Sequence, residues 1–284
     1  HFDGDAVLFA DIEAALDKAV PPEDSDPRGV AAAMRHALLG GGKRLRPALL
    51  LTVVEMLGEE ADLFVGAACA VEMAHTTSLI LDDMPCMDNA QLRRGKPCTH
   101  KAFGSSTAIL AAVALLTEAF EQLAITARRI GRPENAVDAV VLMNEALGIR
   151  GLAGGQYLDL MGAKESATAE SMMEIHARKA GALFVAAAVL PAVLLHLDVD
   201  RKEALHKYAC SLGLAFQMAD DLIDAENPEE DNSKSTAVRH WGVEQTREKI
   251  AILIDDAVTA LTPFGGSAEK LRQLAYYVRK RSIR

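Results

Sequence analysis

Aromatic side chains are scarce in this 284-residue sequence: Phe, Trp and Tyr together make up 5%, and tryptophan occurs once. Ala, Leu and Met abound instead, a composition that favours helix, and strand-like alternation is nearly absent. Positive charge is also short. The formal net charge of −10 argues against general nucleic-acid binding, so any cations needed for an anionic ligand must be concentrated locally. Cys69, Cys86, Cys98 and Cys210 form no CxxC pair and no zinc spacing, which predicts reduced thiols in a cytoplasmic protein. The longest uncharged apolar run, residues 182–195, contains Pro191 and falls short of the ~20 residues of a membrane span, so it reads as a buried core helix. No N-terminal stretch resembles a signal peptide. No repeat, linker or low-complexity stretch divides the chain, and a single domain over 1–284 is expected.

What the chain does have is helical periodicity almost throughout. It predicts helices near 6–20, 27–39, 44–57, 61–83, 105–130, 134–148, 150–162, 168–195, 200–225, 242–262 and 266–281. Breaks fall at Pro21-Pro22, Gly40-Gly41-Gly42, Gly131-Arg132-Pro133 and Pro263-Phe264-Gly265-Gly266. Segments 107–116 and 182–195 are apolar nearly all round, as central helices of a bundle are. The fold expected is an all-α multi-helix bundle.

Two aspartate clusters stand in apolar surroundings: Asp82, Asp83 and Asp88 in SLILDDMPCMD, and Asp220, Asp221 and Asp224 in FQMADDLID. Carboxylates packed among Leu, Ile, Phe and Met are costly unless a cation neutralises them. Asp220 and Asp224 lie four apart, on one helix face, where like charges repel. Hard oxygen ligands suit Mg²⁺, which binds through one or two carboxylates plus substrate phosphate. Pro85 disfavours helix at Met84, and Asp82 and Asp88 lie on different faces of an unbroken helix, so the chain must bend after Asp83 for them to converge. Both clusters end long apolar helices, and a bundle is expected to set them opposite one another at one end of a common cavity.

Two basic motifs accompany them. Residues 40–47, GGKRLRP preceded by glycine, put Lys43, Arg44 and Arg46 after a flexible turn, and Leu92-Arg93-Arg94-Gly95-Lys96-Pro97 follows the first acidic cluster. Lysine point charges and guanidinium forks match a diphosphate, although solvated turns and a surface salt-bridge patch give the same pattern. Lys179 and Lys234 add further cations. His75, Ser78 and Asp82 share one helical stripe, with Thr77 and Ser78 roughly 6–7.5 Å below Asp82, small enough to leave room beneath it. Gly154-Gly155-Gln156-Tyr157-Leu158-Asp159 brings Gln156 and Asp159 as hydrogen-bonding groups, with Tyr157 read as packing. Glu72-x-x-His75 and Glu203-x-x-His206 also fit the pairs of di-iron bundles, but that reading leaves both aspartate clusters and both basic motifs unused.

Taken in order, GGKRLRP, SLILDDMPCMDNAQLRRGKP, GGQYLDL, ARKAGALF and FQMADDLID with NSKS resemble the trans-isoprenyl diphosphate (polyprenyl) synthases from about Met34 to Tyr277, and most of all the bacterial geranylgeranyl diphosphate synthases. The resemblance implies the all-α isoprenoid-synthase fold around a central cavity, a homodimer, and condensation of isopentenyl diphosphate with an allylic diphosphate. It implies three Mg²⁺ ions: Asp82 and Asp88 gripping the allylic diphosphate with Asp83 in support, Asp220 holding the third, and Asp221 and Asp224 acting at one remove. Arg93, Lys179 and Lys234 clamp that diphosphate, with Gln217 near it. Lys43, Arg46, His75 and Arg94 hold the diphosphate of isopentenyl diphosphate. Catalysis then rests on Asp82, Asp83, Asp88, Lys179 and Asp220: the allylic C–O bond ionises, the isopentenyl double bond attacks the cation, and a proton leaves.

Chain length should follow tunnel depth, with Thr77 and Ser78 as the pocket residues and Thr77 at the position where many shorter-chain relatives carry a bulky aromatic; a C20 product is expected. The sequence departs from the family at Ala180 (usually Thr), at Ala90 (often Asp) and in lacking a tyrosine after Ser235. A farnesyl or other short-chain synthase, a terpene cyclase, and an inactive regulatory subunit are the alternatives. The cyclase has no use for a second diphosphate site, and the inactive subunit tends to lose one aspartate cluster.

Overall fold

The computed structural model describes residues 5–162, 168–225 and 236–282. Its elements are helices, apart from one two-stranded ladder among the described residues. The chain falls into two compact units, one of residues 3–54 and 60–140, the other of residues 55–59 and 141–284.

The first unit holds α1 (Asp5–Ala19), α2 (Arg28–Leu38), most of α3 (Leu45–Met56), α4 (Ala61–Asp82), α5 (Thr99–Phe103), α6 (Ser105–Arg129) and the start of α7 (Ala136–Leu147). Its centre is α4, buried from Ala67 to Ala74 without interruption, with α6 laid along it. Ala108, Ala111, Ala112 and Ala119 form the buried side of α6, and alanine lets two helix backbones approach closely. The opposite side of α6 corrects the expectation of an all-buried helix: Ile109 is 45% exposed, Leu110 55% and Val113 55%. All-round hydrophobicity there reflects two apolar faces, of which only one is covered by the described residues of this unit.

Between α4 and α5 the chain makes β1 (Leu92–Arg93) and β2 (Lys96–Pro97), paired Leu92 to Pro97 and Arg93 to Lys96. This hairpin and α5 are additions to the helices expected from periodicity. Its two-residue loop has φ of 54° at Arg94 and 76° at Gly95, the both-positive geometry that matches strand twist. Too short for a period-2 pattern, the hairpin is legible only from Arg-Gly as a turn.

The second unit holds α8 (Leu152–Gly162), α9 (Ala169–His176), α10 (Ala182–Leu194), α11 (Val199–Ala225), α12 (Ala237–Ala260) and α13 (Glu269–Arg281). The expected helix 168–195 is interrupted: Ala177–Gly181 forms a π turn between α9 and α10. Helix α12 begins earlier than expected and kinks at Gly242, where φ is 74°. Helix α10 is buried along most of its length, as its composition requires. By length and composition Ala61–Asp82, Ser105–Arg129 and Ala169–Leu194 are long and apolar enough to cross a bilayer; the expectation from uncharged runs alone missed this because the helices extend past the charges that bound those runs.

Candidate active site

In the first unit the acidic cluster closes α4. Helix geometry runs to Asp82, and the chain then turns back: Asp88 N–H donates to the Asp82 carbonyl at 2.9 Å, and Asn89, with φ of 50°, donates to the Met84 carbonyl at 3.0 Å. The bend demanded by Pro85 thus brings the Asp82 and Asp88 backbones together. Asp82 is half-buried and Asp88 exposed, whereas Asp83 is 3% exposed. Asp83 takes the Arg93 fork, accepting from Nε at 3.1 Å and from Nη2. Burial and then a hydrogen bond to Asp83 push the Cys98 thiol up to about 11, leaving it an inert neighbour. Asp83 therefore holds Arg93 in place, while Asp82 and Asp88 carry the exposed side of the cluster.

The two basic motifs meet. Arg94 donates to the Gly41 carbonyl, and Gly42 beside it has φ of 143°, a conformation that favours glycine. Arg46 Nη1 lies 3.4 Å from His75 Nε2. Burial first, then Arg46, Arg94 and Arg93, hold the His75 pKa well below its ordinary value, so the imidazole is neutral at pH 7. Lys43 is exposed beside them. A small recess between α2, α4 and the hairpin is lined by Arg93, Arg94, Lys96 and Thr76.

Arg44, counted in the sequence among the cations of the glycine turn, is spent elsewhere. It is 2% exposed, and it donates to Glu13 and Glu72 at 2.5 Å each and to the Leu38 carbonyl at 2.6 Å. Its φ of 47° reverses the side chain into the unit while Lys43 points out. Glu72 is thereby taken by Arg44, and Glu203 by Lys207 at 2.8 Å, so both acids of the di-iron pairs have other partners. Thr77 is buried and donates to the Ala112 carbonyl of α6 at 3.2 Å; Ser78 donates to the His75 carbonyl at 2.7 Å.

In the second unit Lys179 sits on the π turn and donates to Asp159 of α8 at 2.6 Å. The approach is close: a side chain on Gly155 would stand 2.7 Å from Arg178 Cβ and 3.0 Å from the Lys179 backbone nitrogen. Gly155 is what lets GGQYLDL reach Lys179. Gln156 is buried, whereas Tyr157 is 63% exposed and does not pack as expected. Ala180, standing where the resemblance has threonine, is buried.

Asp221 is buried and its oxygens are used internally: Gln217 Nε2 donates at 3.2 Å, the backbone N–H of Ala237 at 2.8 Å, and His176 Nε2 lies 3.9 Å away. A carboxylate on the first N–H of α12 is favourably placed against the helix dipole, so Asp221 serves to dock that helix. Asp220 is half-buried and accepts from Arg281 at 2.6 Å; Asp224 is exposed. Lys234 lies outside the described residues. Asp159, expected as a hydrogen-bonding group, takes Lys179, whereas His176 and Arg281 are partners that sequence reasoning did not assign.

Among the described residues no group of three or more His, Cys, Asp or Glu side chains forms a metal cage. This donor chemistry fits Mg²⁺, which takes one or two carboxylates and completes its shell with water and phosphate.

The Polyprenyl synthetase family pattern matches residues 27–240. Geranylgeranyl pyrophosphate synthase 3, chloroplastic, of Arabidopsis thaliana is 40% identical over 94% of this chain and 78% of its own length. The geranylgeranyl diphosphate synthase of Pseudescherichia vulneris is 40% identical over 89% of this chain and 85% of its own. Among solved structures, an FPP/GFPP synthase from Zymomonas mobilis shares 36% identity, a TM-score of 0.86 and 95% of each chain. A geranyltransferase from Legionella pneumophila shares 33% identity and a TM-score of 0.88, over 97% of this chain and 95% of that one. A match of this extent, on top of the ordered motifs, establishes that the chain belongs to the polyprenyl synthetase family.

Proposed function

We propose that this protein is a Mg²⁺-dependent trans-prenyltransferase that condenses isopentenyl diphosphate with an allylic diphosphate and releases geranylgeranyl diphosphate. The observation that carries the reading is the meeting of Arg46, His75 and Arg94 in the first unit, alongside the acidic end of α4. A condensing enzyme holds two diphosphates. A cyclase, or a subunit without activity, has no use for such a cationic group in addition to two acidic clusters.

Asp82, Asp88 and Asp220 hold the Mg²⁺ ions, three in all, with Asp221 and Asp224 supporting. Bound Mg²⁺ offsets the negative charge that grows on the departing pyrophosphate. Arg93, fixed by Asp83, and Lys179, released from Asp159, bind the allylic diphosphate, with Gln217 beside it and Lys234 as a further clamp. Lys43, Arg46, Arg94 and the neutral His75 hold the isopentenyl diphosphate so that its double bond is oriented toward the allylic carbon. His75 contributes a hydrogen bond without adding a charge that must be desolvated.

The C20 product is supported by the names of the relatives in Arabidopsis and Pseudescherichia, and by a small residue at Thr77. The names of the solved neighbours differ in chain length, so product size is the point to test. Incubating the purified chain with Mg²⁺, isopentenyl diphosphate and each allylic starter, followed by mass analysis, should give C20 diphosphate. Thr77→Phe should shorten it. A C15 product from the unaltered chain defeats the C20 assignment, and pyrophosphate release without isopentenyl diphosphate defeats the condensing reading.

The apolar outer face of α6 supports a homodimer. The four cysteines, all free, support a cytoplasmic location.

A further inference from the structure

Arg281 ends the buried stripe of α13. Leu271, Leu274, Ala275 and Val278 face inward at helical spacing, and Arg281 is the next position on the same face. Two contacts fix how this stripe lies on α11: Tyr208 donates to the Leu271 carbonyl at 2.8 Å, and Arg281 Nη2 donates to Asp220 Oδ1 at 2.6 Å. From Tyr208 to Asp220 is about 18 Å of helix, and from Leu271 to Arg281 about 15 Å, so the two helices run side by side in the same direction. The end is tied down, because Arg247 of α12 donates through Nε to the Ser282 carbonyl at 2.9 Å. The guanidinium lies 4.9 Å over the Phe216 ring, one helical turn before Asp220. Its Nη1 is buried and has no hydrogen-bond partner among the described residues. A planar cation stacked on an aromatic face and held to one carboxylate oxygen is a defined, not a wandering, ion pair.

We infer that Arg281 is a positioning residue acting through Asp220: it holds this carboxylate in one orientation while no divalent cation is bound, and it competes with Mg²⁺ for it. The inference rests on the Mg²⁺–diphosphate reading above. A fixed positive charge on Oδ1 opposes a second cation on the same carboxylate, and the exchange requires the guanidinium to give up that contact or share it. The buried Nη1 donor, unspent in the paired state, is positioned to take a new acceptor when the contact is shared. Arg281 thus sets the Mg²⁺ concentration at which the second acidic cluster fills.

The test is calorimetric titration of Mg²⁺ into the intact protein in the presence of inorganic pyrophosphate, with thermal melting alongside. Arg281→Gln is expected to bind Mg²⁺ roughly 5- to 10-fold more tightly and to melt lower than the unaltered protein when metal-free, so that its Mg²⁺-induced rise in Tm is larger. Arg281→Lys, which keeps charge but loses the stacked fork, should fall between the two. Arg247→Gln, which frees the helix end without touching the pair, gives a smaller shift of the same sign and serves if Arg281→Gln does not fold. Folded variants whose Mg²⁺ affinity is unchanged or weaker overturn the inference while the function stands. An unaltered protein that takes up no Mg²⁺ with pyrophosphate overturns the metal–diphosphate reading itself, and this inference with it.

Discussion

Arg44 and Arg46 are two residues apart in one basic motif and meet opposite fates. A left-handed turn at Arg44 sends its guanidinium inward to Glu13 and Glu72, while Arg46 reaches His75. Composition and spacing do not distinguish them, because the difference is made by acidic partners from α1 and α4. Asp83 and Asp221 behave alike: each looks like a ligand in the sequence, and each is buried and used to hold another group, Arg93 or the start of α12. The aspartates left half-buried or exposed are Asp82, Asp88, Asp220 and Asp224. His75 gives a prediction in pH. Its folded pKa is depressed, by burial first and then by Arg46, so between that value and the unfolded histidine value of about 6.5 the unfolded chain binds the extra proton. Its stability contribution is therefore intact above about pH 6.5 and declines as pH falls through the window below. Thermal melts of His75→Gln should show a shallower loss of Tm below pH 6.5 than the unaltered protein; equal slopes would remove His75 as the cause.

At the scale of elements, long helices were legible because the apolar period repeats many times along them, and their ends fell where Gly and Pro stand. The hairpin, the short α5 and the π turn were not legible. The hairpin of Leu92–Pro97 is shorter than any period, yet it carries Arg93 to Asp83 and Arg94 to Gly41. The π turn at Ala177–Gly181 has no compositional mark at all; an extra residue per turn arises where neighbours leave room for it, and such turns recur at functional sites. Here it presents Lys179 to Asp159 across Gly155. Gly155→Ala should push α8 off the π turn, since the added carbon meets backbone and not the end of a flexible chain. We expect a loss of about 1–3 kcal/mol from overpacking, and a raised KM for the allylic diphosphate with KM for isopentenyl diphosphate little changed. Equal rises in both KM values would place Gly155 in general packing instead.

On the scale of the whole molecule, the outer face of α6 is the feature that the single chain leaves incomplete. Ile109, Leu110 and Val113 form an exposed apolar strip opposite the alanine side that packs on α4, and a continuous strip of this kind marks an interaction surface. The proposed homodimer, if it forms through this face, predicts that Leu110→Glu with Val113→Glu gives a monomer in sedimentation velocity with helix content unchanged; an unaltered sedimentation coefficient would remove α6 as the dimer face. The sequence by itself determined the all-α class, the helix positions and the family, because periodicity and ordered motifs are properties of the chain read along its length. It also determined which residue types are present for holding diphosphate and magnesium. Only the tertiary structure decided which of them are spent within each unit: Arg44 on Glu72, Asp83 on Arg93, Asp221 on the start of α12, Asp220 on Arg281. The physical reason is that a charge's role depends on what neutralises it. In a folded helix bundle that partner comes from another element, 61 residues away in the pair of Asp220 and Arg281.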